Sequence, residues 1–148
     1  MLAGAFSPSG PNGPGEVRLW NAATGKESAR TTEPGGMLFG LLVAPEGKAV
    51  IYSNKNGLNV WNPASAQKWT PAEISAEKPN AVALSPDGRT LAAATATRLL
   101  LWNLADRTTQ FEKSLPGPVH GLAFTPDGQR LLTANGNGTL YVYRVGPK

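Results

Sequence analysis

Cysteine is absent from the 148 residues, so neither a disulfide nor a thiolate metal site can form. Histidine occurs once, at His120, and nothing near it in sequence supplies the nucleophile or the orienting carboxylate that a catalytic histidine needs. Charge is sparse as well, at 16% of residues, with 14 basic side chains against 10 acidic and a net charge of +4. The basic residues fall singly, as at Arg18, Lys26, Arg30, Lys48, Lys55, Lys68, Lys78, Arg89, Arg98 and Arg107. Nucleic-acid binders cluster such charges on one face, so a nucleic-acid partner is not expected. No apolar run approaches the roughly 18 residues of a membrane-spanning helix. The opening Met1–Phe6 stretch has no basic start and no long apolar core, so no signal peptide is visible. The expectation is a soluble, cytoplasmic protein without a membrane partner, metal or cofactor.

What the chain has in quantity is turns. Seventeen glycines and thirteen prolines stand among 41% hydrophobic residues, a balance that suits a folded all-β chain. One stretch sets the pattern: Ala83-Leu84-Ser85-Pro86-Asp87-Gly88-Arg89-Thr90-Leu91-Ala92, then Leu99-Leu100-Leu101-Trp102-Asn103. It reads as strand, tight turn, strand, loop and strand. Pro86 presets φ, Asp87 tolerates the next position, and Gly88 supplies the positive φ that reverses the chain. Pro126-Asp127-Gly128 repeats the turn, Pro45-Glu46-Gly47 is a close version, and Ser7-Pro8-Ser9-Gly10 is a looser one. Trp20, Trp61, Trp102 and Tyr143 follow at intervals of 41 residues. A period of that length with short strands in each unit points to propeller blades.

The serine-proline-aspartate-glycine turn followed by leucine-tryptophan-asparagine resembles the WD40 repeat family, over nearly the whole chain and about three and a half degenerate copies. The resemblance implies a β-propeller built of four-stranded antiparallel blades. It implies binding and scaffolding rather than an activity. In that family a glycine-histidine pair before the inner strand often bonds an aspartate in the turn before the third strand. Here the pair is missing from every unit, and the corresponding turns, Lys55-Asn56-Gly57, Ala96-Thr97-Arg98 and Asn137-Gly138-Thr139, hold no aspartate. That buried network is not carried over.

The expected organisation is one repeat domain, 1–148, with units at about 1–33, 34–74, 75–115 and 116–148, an arc of about four blades within a larger ring. From Pro8 to Trp20 is 12 residues, against 16 from Pro45 to Trp61. The shortfall removes one strand and leaves Pro11–Gly15 as a loop, since proline cannot donate to a ladder. Residues 2–6 are therefore expected to pair antiparallel with Glu16–Trp20, in a first blade lacking its innermost strand. The middle units read as Leu38–Val43, Lys48–Ser53, Leu58–Asn62 and Gln67–Thr70, then Asn80–Ser85, Thr90–Thr95, Arg98–Asn103 and Thr108–Glu112. The segment 71–79 reads as a polar connection. The last unit reads as Val119–Thr125, Arg130–Ala134 and Thr139–Arg144, without an outer strand.

Trp20, Trp61, Trp102 and Tyr143 are expected to pack blade on blade, each contributing roughly 1.5–3 kcal/mol by burial. Asp87 and Asp127 are turn residues by position rather than a catalytic pair. Asn135-Gly136-Asn137-Gly138 reads as a hairpin turn, because no helix follows it to cradle a phosphate. His120 and Arg98 are the candidates for touching a partner. The function expected is a non-enzymatic protein-interaction scaffold. A propeller hydrolase or lactonase with a channel site is the alternative, and it would need polar groups that the inner strands lack. An open arc would leave an apolar blade face at each end, to be covered head-to-tail by a second copy or by further blades of a longer chain.

Overall fold

The computed structural model describes residues 1–6, 13–34, 38–54, 56–75 and 77–145. The Ser7–Gly10 turn therefore lies outside the described residues. The chain divides into two compact units, Met1–Lys78 and Pro79–Lys148.

In the first unit, β1 (Leu2–Phe6), β2 (Gly15–Trp20) and β3 (Glu27–Glu33) form one antiparallel sheet in that order. Leu2 pairs with Trp20 and Phe6 with Glu16, as the shortened spacing before Trp20 requires. β3 is not among the expected strands: its sequence, ESARTTE, is charged and polar, as an outermost strand can be. A second sheet holds β4 (Phe39–Val43), β5 (Val50–Asn54), β6 (Gly57–Trp61) and β7 (Lys68–Trp69) in chain order. Alternation turns Val17 and Leu19 of β2 onto Val50, Tyr52 and Trp61, and these side chains form a buried core. The connection at 71–79 is less polar than expected. It contains a 3₁₀ turn, Ala72–Ile74, whose Ile74 side chain is fully buried.

The second unit repeats the plan. β8 (Ala81–Leu84), β9 (Thr90–Ala94), β10 (Arg98–Asn103) and β11 (Thr109–Ser114) make a four-stranded sheet, and β12 (Val119–Phe124), β13 (Arg130–Asn135) and β14 (Leu140–Arg144) a three-stranded one. The face carrying Ala83, Ala92, Ala94, Leu99 and Leu101 packs on Leu122, Phe124, Leu131 and Tyr143. Leu91, Ala93, Leu100 and Trp102, which alternate with these, are buried too, so β9 and β10 are buried on both faces and read as continuous apolar runs.

The two proline-aspartate-glycine turns share one geometry. Gly88 N–H donates to Ser85 O at 2.8 Å, and Gly128 N–H to Thr125 O at 2.8 Å. Both glycines have φ of +70°. A β-carbon on Gly128 would come no closer than 3.7 Å to Pro86 Cδ, so space is not what excludes a side chain there. Gly88→Ala and Gly128→Ala should each cost more than about 1 kcal/mol through left-handed strain alone. Urea melts check this, and unchanged midpoints would remove the turn assignment. In the third turn Ala44 replaces the hydroxyl residue, and Glu46 adopts φ +59° while pairing with Lys48 Nζ at 2.9 Å.

A second recurring turn follows Trp20, Trp61 and Trp102. Asn21 Oδ1 accepts from Ala23 N–H at 2.9 Å, Asn62 Oδ1 from Ala64 N–H at 2.9 Å, and Asn103 Oδ1 from Ala105 N–H at 2.8 Å. The turn closes through a left-handed residue, Gly25 in the first copy but Ala66 and Arg107 in the next two, with φ of +56° and +62°. Ala66→Gly should therefore stabilise the chain by about 1 kcal/mol, because it relieves a β-carbon clash. A thermal melt checks the direction.

Candidate interaction surface

The turn end of the second unit is a broad groove of about 990 Å³. Its floor and walls include Asp87, Arg89, Gln110, Phe111, Asp127 and Arg144. Each carboxylate is held by its own turn. Asp87 Oδ1 accepts from Ser85 Oγ at 2.6 Å and Arg89 N–H at 3.0 Å; Asp127 Oδ1 accepts from Thr125 Oγ1 at 2.5 Å and Gln129 N–H at 2.9 Å. The hydroxyl first and the backbone N–H second hold both carboxyls below the usual aspartate range. These are fixed negative charges, not proton carriers at neutral pH. Gln110 enters the groove because the β10–β11 ladder skips a residue between the Leu101–Phe111 and Trp102–Thr109 pairs.

His120 and Arg98 stand at the opposite end of the same two sheets. His120 is the extra residue of a bulge between the Val119–Asn135 and Gly121–Ala134 pairs, which frees its side chain from the regular alternation. It lines a cleft of about 310 Å³ with Pro116, Pro118, Asn135 and Asn137. A β-carbon on Gly136 would sit 3.0 Å from His120 Nε2, so the imidazole depends on that glycine for room. The Asn135–Gly138 hairpin closes through Gly138 at φ +81°, with Gly138 N–H donating to Asn135 O at 3.0 Å. Arg98 is engaged within its sheet, with Nη1 3.0 Å from Glu112 Oε1 on β11. The structure brings the two candidates to one end of the unit but gives them different surroundings.

The aromatic column divides. Trp61 and Trp102 are fully buried, whereas Trp20 and Tyr143 are half-buried. Trp20 meets Phe6 edge-on at 5.8 Å, and Tyr143 packs on Phe111 at 6.2 Å.

A polar network in the first unit carries no sequence signal. Glu33 is buried at the end of β3, accepting from Tyr52 Oη at 2.5 Å and Asn54 Nδ2 at 3.3 Å. Lys68 Nζ pairs with the same carboxylate and donates to Thr32 O at 2.8 Å. Burial, then the Glu33 hydrogen bond, pushes the Tyr52 phenol far above its ordinary range.

The expectation of an apolar face at each end needs one correction. The face of β1–β3 turned away from the first unit's core does expose Leu2 and Phe6. It also carries an ion-pair ladder, with Arg18 bonded to Glu16 at 2.6 Å and Arg30 to Glu27 at 2.8 Å. Strand alternation puts these charges beside the apolar residues, so the face is mixed. On β14 Leu140 and Val142 are 70% and 58% exposed, and Arg144 with its cross-strand neighbour Arg130 shares their face, so this face is mixed as well.

Residues 109–144 match the family model described as WD domain, G-beta repeat. That segment runs from β11 through β14, the outer strand of one sheet and all three strands of the next. The β-propeller domain of Cps50 (Swd1) from Myceliophteria thermophila superposes with a TM-score of 0.69, at 16% identity, over 90% of this chain and 48% of that domain. That match makes residues 109–144 similar to a WD40 repeat. Autophagy-related protein 18 of Meyerozyma guilliermondii is 34% identical over 71 residues, covering 45% of this chain and 12% of that relative. The chain thus spans about an eighth of that curated relative and half of the solved propeller domain. The likeness to the Swd1 domain gives the four sheets the fold of a partial β-propeller. Among the described residues, no group of three or more His, Asp or Glu could hold a metal ion.

Proposed function

We propose that these WD40 blades form a non-enzymatic protein-interaction scaffold, with the turn-end groove of the second unit as its recognition surface. The observation that carries the reading is the state of the groove's charges. Asp87 and Asp127 are pinned by their own turns, close to Arg89 and Arg144 and beside the apolar Phe111. Preset charges of both signs around an aromatic anchor suit recognition of a protein segment, since they give specificity without rearrangement. Half of a propeller the size of the Swd1 domain would then come from elsewhere, either a second copy of this chain or further blades of a longer one.

Arg89→Glu and Arg144→Glu test the surface. Both should abolish co-purification of the partner while leaving the melting temperature within a degree or two. Retention of the same partner by both variants would reject the groove. His120→Ala tests the enzymatic alternative: hydrolysis of ester, lactone and phosphate substrates should be the same for variant and parent. An activity lost with His120, in a variant that keeps its melt, would reject the scaffold reading.

A further inference from the structure

The outward face of β12–β14 is built like faces that are covered elsewhere in this chain. Val142 on β14 takes the place that Leu101 holds on β10 and Leu19 on β2, each one residue before the aromatic position. Leu101 and Leu19 are buried, and Val142 is 58% exposed. Leu101 shares its core with Leu131, the cross-strand partner of Tyr143, and Leu19 shares its core with Val50, the cross-strand partner of Trp61. The rule inside the chain is that the residue before one aromatic meets the residue paired with the next. At the first aromatic, Trp20, that paired residue is Leu2, which is 61% exposed.

We infer that the β12–β14 face of one copy docks on the outward face of β1–β3 of a second copy, with Val142 meeting the second copy's Leu2. The inference rests on the WD40-blade reading but not on the groove. Arg130 and Arg144 are exposed cross-strand neighbours. On the first sheet's outward face Glu16 and Glu27 already pair with Arg18 and Arg30, so the apolar register of Val142 and Leu2, not charge, carries the pairing. A further strand-rich protein could use the same apolar face, but it would not need Leu2.

Sedimentation equilibrium of the 148-residue chain at micromolar concentration is the test, with Val142→Glu and Leu2→Lys as variants. Both positions are exposed, so each variant should keep the parent's circular-dichroism melt. The parent should sediment above monomer mass, and each variant alone should associate at least tenfold more weakly. An equimolar mixture of the two variants should regain association, because it restores one contact between unaltered faces. If either variant unfolds, Leu140→Lys and Phe6→Lys replace the pair on the same two faces. A monomeric parent overturns the inference. So does Val142→Glu dissociating the chain while Leu2→Lys does not, which would mean that two β14 faces meet each other.

Discussion

Glu33→Ala is expected to destabilise the first unit by about 3–5 kcal/mol, the range for removing one member of a buried charge network. The loss is not that of one attractive pair. Tyr52 Oη and Asn54 Nδ2 lose their acceptor in a buried place, and Lys68 loses its counter-charge. Each buried polar group left without a partner costs about 1–3 kcal/mol. Glu33→Gln keeps an acceptor for the phenol and should cost clearly less. At 41-residue intervals after Glu33 stand Ile74 and Leu115, both buried, and the matching partners of Tyr52 and Asn54 in the third blade are Ala93 and Thr95. Combining Glu33→Leu with Tyr52→Phe and Asn54→Thr removes the orphaned polar groups without emptying the Tyr52 site, and should recover part of the loss. Guanidinium melts of the set are the measurement. A Glu33→Ala variant within about 1 kcal/mol of the parent would mean the network is solvated in solution.

The same network gives a pH dependence with a defined sign. The folded state holds the Tyr52 proton more tightly than the unfolded chain does. Stability from this group is therefore complete below about pH 10, where a free tyrosine ionises, and falls as pH rises further. Tyr52→Phe should flatten that alkaline fall while lowering stability at neutral pH.

The contrast between the turns and this network shows what a sequence exposes. The proline-aspartate-glycine turns are legible because their chemistry is local: Ser85, Asp87 and Gly88 bond to one another or to residues within a few positions. The strand order follows from them, as does the pairing of Leu2–Phe6 with β2. β3 stayed hidden because an outer strand needs no apolar alternation, and Ile74 because one apolar residue in a polar stretch has no period. Glu33 was hidden for a further reason. Its partners lie 19 to 35 residues away, on two other strands. Nothing in ESARTTE distinguishes a carboxylate that meets a tyrosine from one that meets water. The groove has the same origin, since Gln110 enters it only through a bulge that the 41-residue spacing does not reveal.

The aromatic column supplies the other large effect, because four residues at one spacing should give unequal losses. Trp61→Ala and Trp102→Ala should each cost about 3–5 kcal/mol, the range for emptying a fully buried large aromatic site. Trp61 closes on Val17, Leu19 and Val50 in a buried core. Trp20 is held differently. Its ring leans on Phe6 and the mixed outward face, with water on one side of the single chain, so Trp20→Ala should cost only about 1 kcal/mol where that face is undocked. Tyr143→Ala should fall between them: the ring is half-buried, packs on Phe111 and lies beneath Lys113 Nζ at 5.1 Å. The ranking carries the argument more firmly than any single value, because all four changes share the same chemistry and differ in what covers the ring. Denaturant melts of the four variants under one condition give the order. Equal losses at all four positions would mean that Trp20 and Tyr143 are covered in solution, and the docking of the β14 face onto a second copy is the arrangement that would cover Trp20. Repeating the Trp20→Ala melt in the Val142→Glu background separates the two cases, since its cost should return to about 1 kcal/mol once that contact is broken.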